Sequence, residues 1–145
     1  MAADRKATTV WKGDLSSGSG ELTLDTSNAA GPLNVSWPSR AEEANGRTSP
    51  EELVAAAHTS CFSMALSKAL ADDGNPPERL ETSAVVTFST DGGPHVESIA
   101  LTVRGTVPGV SEEEFSDAAN AAKEGCPISQ LVAGNTEVSL DASLA

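Results

Sequence analysis

Apolar residues cover nearly the whole circumference of one stretch, Ser49 to Gly74, SPEELVAAAHTSCFSMALSKALADDG. The spacing predicts a single long helix. Ser49 is placed to cap it, Pro50 takes the first helical position, and Glu52, three residues after Ser49, completes a capping box. Gly74, with Pro76 and Pro77 beyond it, ends the helix. A helix apolar on all sides is expected to be buried, which would put its central Cys61 deep inside.

Either side of this helix the pattern changes to period two. Thr8 to Leu15 alternates weakly, Ser16 to Gly20 (SSGSG) reads as a turn, and Glu21 to Asp25 alternates cleanly, which predicts a hairpin. Leu33 to Trp37 adds a short third strand, and 38 to 48 (PSRAEEANGRT) reads as a polar loop. After the helix, Arg79 to Thr90 and His95 to Val107 form a long antiparallel pair around the turn Asp91-Gly92-Gly93-Pro94. Ser111 caps a second long helix that runs to Glu124. Cys126 then precedes Pro127 at the start of a short helix, and Thr136 to Leu144 is a last strand. Antiparallel strands grouped at both ends of the chain and packed around a long central helix define an α+β fold. Neither a repeat nor a linker divides it, so residues 1–145 are expected to form a single domain.

Composition narrows the function. The formal charge is −12, and aromatic residues are limited to three Phe and two Trp. Both features argue against nucleic-acid partners, which need basic footprints and stacking platforms. No apolar run approaches the roughly 18 residues of a membrane span, and the N-terminus has no leader pattern, so the expectation is a cytoplasmic protein without membrane contact. In that compartment its two cysteines are expected to be free or transiently paired. Two Cys and two His, scattered along the chain, make no recognisable metal spacing, and no cofactor motif is present.

The candidate chemistry lies in Cys61, Cys126, Arg40, Arg47, Glu51, Glu52 and His58, of which Glu52 is assigned to the helix cap. Cys61 at a helix centre gains nothing from the helix dipole, and burial disfavours its thiolate. A cation from elsewhere is needed, and the preceding loop offers Arg40 and Arg47. Cys126 at a helix start has backbone N–H groups near its sulfur, as suits one partner of a thiol pair. Packing alone remains the bland explanation for either cysteine. His58 shares a helix face with Cys61, so a cysteine–histidine acyl-transfer site is conceivable, but no third orienting residue is evident.

SPEELVAAAHTSCFSMALS, followed by GCPISQ and preceded by WPSRAEE, resembles the signature of the OsmC family (osmotically inducible protein C) within the OsmC/Ohr superfamily of thiol peroxidases. His58 stands where the Ohr branch typically carries tyrosine. Ser49 replaces the common Asn before the proline, and Thr59 and Ser60 replace the alanines often found before the cysteine. The resemblance implies an OsmC-like fold, an intertwined homodimer, and reduction of organic hydroperoxides and, more weakly, hydrogen peroxide. It makes Cys61 the peroxidatic thiol, Cys126 the resolving thiol, and Arg40 and Glu51 a pair that stabilises the thiolate and polarises the peroxide. It implies a dithiol reductant of the lipoyl type. Glu51 and Cys61 are ten residues apart, about 15 Å along one straight helix, so the implied site crosses a subunit boundary. The alternative is a redox-sensing or small-molecule binding module on the same fold without efficient turnover.

Overall fold

A computed structural model describes residues 1–145. The chain divides into two compact units, Met1–Leu53 and Val54–Ala145, and the division falls inside the long central helix.

In the first unit, β1 (Thr8–Lys12), β2 (Ser19–Thr23) and β3 (Leu33–Val35) form an antiparallel sheet in that order. Helix α1 (Trp37–Ala41) occupies part of the stretch expected to be loop. Its start is a capping box made from two serines: Ser39 N–H donates to Ser36 Oγ, and Ser36 N–H donates to Ser39 Oγ. This reciprocal pairing satisfies two backbone donors and fixes a five-residue helix too short to show periodicity. Thr48 then returns to β3, where its N–H donates to Asn34 O. Helix α2 (Pro50–Asp72) opens in the same unit. Ser49 accepts from Glu52 N–H as expected, but the Glu52 carboxylate accepts from the Thr48 hydroxyl, so the expected capping box closes on one side only.

In the second unit, β4 (Arg79–Ser89) pairs antiparallel with β5 (His95–Thr106), and β6 (Glu137–Leu144) adds to β5 in parallel. An all-antiparallel arrangement therefore needs correction. The reason lies between β5 and β6: helices α3 (Glu112–Gly125) and α4 (Pro127–Val132) carry the chain back across the sheet, and such a crossover delivers a parallel strand. Ile99, Leu101, Val103 and Gly105 of β5 are buried, and the residues between them are exposed. A register shift between Thr87 and Phe88 leaves Glu97 without a cross-strand partner, which switches the parity of the apolar positions between Val96 and Ile99.

The core of this unit gathers Phe62, Leu66 and Leu70 from α2, Leu101 and Val103 from β5, and Phe115, Ala119 and Ala122 from α3. Each large apolar side chain buried here contributes about 1.5–3 kcal/mol. Gly105 is what lets the Phe115 ring lie against β5: a Cβ at Gly105 would fall 2.6 Å from two ring carbons. Gly105→Ala is expected to lower stability by about 1–3 kcal/mol through overpacking. Urea denaturation should show this, with part of the loss recovered in Gly105→Ala/Phe115→Leu.

The expectation that α2 is buried all round also needs correction. Within one chain it buries a single stripe, His58, Phe62, Leu66 and Leu70, while Ala56, Ala57, Ser60 and Met64 are exposed. Cys61 is half-buried, not deep. In length and composition α2 is also apolar enough to cross a membrane, contrary to expectation, but its buried stripe belongs to a protein core.

Candidate active site

The expected site residues fall into two groups, one in each unit. In the first, Arg40 is held on α1 and Glu51 on the opening turn of α2. The Arg40 Nε lies 3.1 Å from both Glu51 oxygens, and its terminal nitrogen lies 2.7 Å from Oε1. Glu51 is buried, and Arg40 keeps 30% of its side-chain surface exposed. A planar guanidinium forked onto a carboxylate is held in orientation as well as in charge. Arg40 also lines a cleft of about 370 Å³, otherwise walled mostly by apolar side chains, Trp11, Leu22, Val35, Trp37 and Leu53 among them. Arg47 lies instead on a polar, serine-rich cleft with Ser16, Ser17 and Asn45. Of the two arginines, Arg40 is the one that meets Glu51.

In the second unit, α2 and the start of α4 bring Cys61 and Cys126 together as free thiols near enough that each perturbs the other's ionisation. Cys126 is fully buried at the start of α4, on an extended backbone with φ −68° and ψ 122°. Its sulfur closes no N-cap hydrogen bond. Burial pushes the Cys126 thiol up. The Ser129 N–H, the Cys61 thiol, the Ser129 hydroxyl and the Ile128 N–H together outweigh burial and hold it below the ordinary thiol range. Burial pushes the Cys61 thiol up, the Ile128 N–H opposes that, and the nearby Cys126 thiol adds to the rise. Within this unit Cys126 is therefore the more readily ionised of the two thiols. The contrast was legible in the sequence, where one cysteine stands at a helix centre and the other at a helix start.

The sequence did not reveal the partner of His58. Its Nε2 lies 2.7 Å from Ser129 Oγ, both residues are buried, and burial lowers the His58 pKa, which keeps the ring neutral. Their separation of 71 residues put the pair beyond any local motif. No cluster of His, Cys, Asp and Glu has the makings of a metal site.

These features define a small α+β protein with a paired-thiol centre. The chain belongs to the OsmC-like family, whose model matches residues 43–141. It is 37% identical over 148 residues to the peroxiredoxin OsmC of Escherichia coli (strain K12), covering 99% of each chain. It superposes on the crystal structure of the organic hydroperoxide resistance protein OhrB of Bacillus subtilis with a TM-score of 0.74 and 26% identity, covering 95% of this chain and 98% of that one. An organic hydroperoxide resistance protein from Elizabethkingia anophelis gives a TM-score of 0.75 at 26% identity, with both chains covered in full. The α+β fold and the family resemblance expected from the sequence are thus borne out.

Proposed function

We propose that the protein is a cytoplasmic thiol peroxidase that reduces organic hydroperoxides, and more weakly hydrogen peroxide, by a two-cysteine cycle. The observation that supports this reading is the nearness of Cys61 and Cys126, two free thiols that perturb each other's ionisation and so could close a disulfide. The names of the OsmC and Ohr relatives support a peroxidase-type oxidoreductase.

In the first step the Cys61 thiolate attacks a peroxide oxygen. The O–O bond breaks, the sulfur is oxidised to a sulfenic acid, and the alkoxide leaves and takes a proton to become the alcohol. In the second, the Cys126 thiolate attacks the Cys61 sulfur. The S–S bond forms, the S–O bond breaks, and hydroxide takes a proton to leave as water. A dithiol reductant of the lipoyl type then restores both thiols by exchange and is itself oxidised to a disulfide. No cofactor enters the cycle.

Cys61 must give up its proton for the first step, and in its own unit only the Ile128 N–H favours that, against burial. Arg40, oriented by Glu51, is assigned this task, with the Trp11–Trp37 cleft accepting the organic part of the substrate. Since α2 runs unbroken from Pro50 to Asp72, the proposed site joins Arg40 and Glu51 of one subunit to Cys61 of another in an intertwined homodimer. The exposed apolar residues of α2, Ala56, Ala57 and Met64, support such an interface.

The test is oxidation by one equivalent of cumene hydroperoxide, read by intact mass and free-thiol count. Wild type should lose both thiols and the mass of two hydrogens. Cys126→Ser should instead trap a sulfenic acid that dimedone captures. Oxidation no faster than that of a model thiol would overturn the proposal and favour the sensing or binding module.

A further inference from the structure

His58 is a buried, neutral imidazole on the helix of Cys61, yet neither step of the proposed cycle uses it. Its Nε2 lies 2.7 Å from Ser129 Oγ. Ser129 is the third residue of α4, one turn on from Cys126 at its N-cap, and its hydroxyl is near enough to lower the Cys126 pKa. The three side chains thus lie in sequence from His58 through Ser129 to Cys126, with the His58–Ser129 hydrogen bond as the first link.

A serine hydroxyl has one proton to give. If it gave that proton to His58, the imidazole would carry its own hydrogen on Nδ1. Nδ1 is buried and has no partner in the protein. An orphaned buried N–H is costlier and rarer than an unshared lone pair. The favoured tautomer therefore carries the hydrogen on Nε2, which donates to Ser129 Oγ. The serine proton is then turned toward the Cys126 sulfur. The direction of the relay follows from the vacancy at Nδ1.

We propose that His58 and Ser129 are positioning residues that aim a hydroxyl proton at the Cys126 sulfur and thereby speed disulfide closure. The role in closure rests on Cys126 being the resolving thiol. A hydroxyl polarised from behind stabilises an attacking thiolate better than a freely rotating one. Ser129 also lines a cleft of about 340 Å³ with Lys123, Gln130 and Thr136, so the middle of the relay borders a cleft while both its ends are buried. The titratable and charged groups around it are Cys61 and His58 on α2, and Lys123 and Glu124 on α3.

Two measurements on Ser129→Ala, His58→Leu and His58→Gln decide this. The first is the pH profile of Cys126 alkylation by iodoacetamide, with Cys61→Ser as the common background. The midpoint should move to higher pH in Ser129→Ala and His58→Leu, and stay near the parent in His58→Gln, whose amide can still donate to Ser129. The second is the rate of disulfide closure divided by the rate of sulfenic acid formation, followed by rapid mixing with cumene hydroperoxide in chains that retain both cysteines. That ratio should fall about tenfold in Ser129→Ala, the worth of one hydrogen bond to a charged group. A purely structural pair would lower stability without moving either the midpoint or the ratio, and that result would overturn the proposal. Alkylation needs no peroxide. If wild type fails to react with peroxide, the peroxidase assignment falls while the alkylation profile still decides the relay.

Discussion

Cys61→Ser is expected to abolish turnover of cumene hydroperoxide, with a loss on the order of 10⁴-fold or more, the effect of removing the proposed nucleophile from a preorganised site. The size follows from what the sulfur must do. An ordinary thiol is a few per cent ionised near neutral pH, so complete ionisation gains at most about thirtyfold. Burial pushes Cys61 above the ordinary range, so in isolation it would start further behind. Nearly all of the acceleration must then come from peroxide positioning and from stabilising the leaving alkoxide. A serine hydroxyl keeps the position but cannot be oxidised, and the cycle has no alternative entry. Cys126→Ser should behave differently: the first oxidation proceeds, and the sulfenic acid then persists or over-oxidises. Peroxide consumption with a lipoyl-type dithiol, beside free-thiol counts after one turnover, separates the two variants. More than a few per cent of wild-type turnover in Cys61→Ser would show that another group reacts with peroxide.

The central helix shows where sequence legibility ends. Its caps, length and apolar character were readable because each rests on local chemistry. Its burial was not, because hydropathy on every side cannot say which side meets the same chain. Only the His58–Phe62–Leu66–Leu70 stripe does so. The direction of β6 is another such limit. Alternation in Val138 and Leu140 marks a strand, but direction is set by the two helices before it, so it had to be inferred from connection length. Helix α1 escaped because five residues hold too little periodicity, although serines at 36 and 39 are the trace of its cap. For the site, the sequence singled out Cys61, Cys126, Arg40 and Glu51 as individual residues, and the structure joins them as Arg40–Glu51 and Cys61–Cys126. Ser129 went unnoticed because its importance lies in a partner 71 residues away.

Arg40→Met is expected to lower kcat/KM for organic hydroperoxides by about 10²–10³-fold, the usual cost of losing a preorganised charged donor. Arg40→Lys should recover little of this. Lysine keeps the charge, but it cannot place two donors on the Glu51 carboxylate and hold a planar cation in one orientation. Glu51→Gln tests orientation without removing the cation, and its loss should be the smaller one, about tenfold. Because the two residues act as a unit, Arg40→Met/Glu51→Gln should lose little more than Arg40→Met alone. Stability needs a separate reading. Arg40→Met leaves Glu51 buried and unpaired, which costs about 3–5 kcal/mol in a dry site and less here, since Arg40 keeps part of its surface in water. Urea melts run beside the kinetics distinguish a lost cation from a loosened fold. The pH profile of Cys61 oxidation gives a sharper test. Without a cation the thiolate is harder to form, so the rate should climb toward higher pH in Arg40→Met than in wild type. If Arg40→Met oxidises within about twofold of wild type with an unshifted profile, Arg40 is only the structural partner of Glu51, and the cation that activates Cys61 must be sought elsewhere.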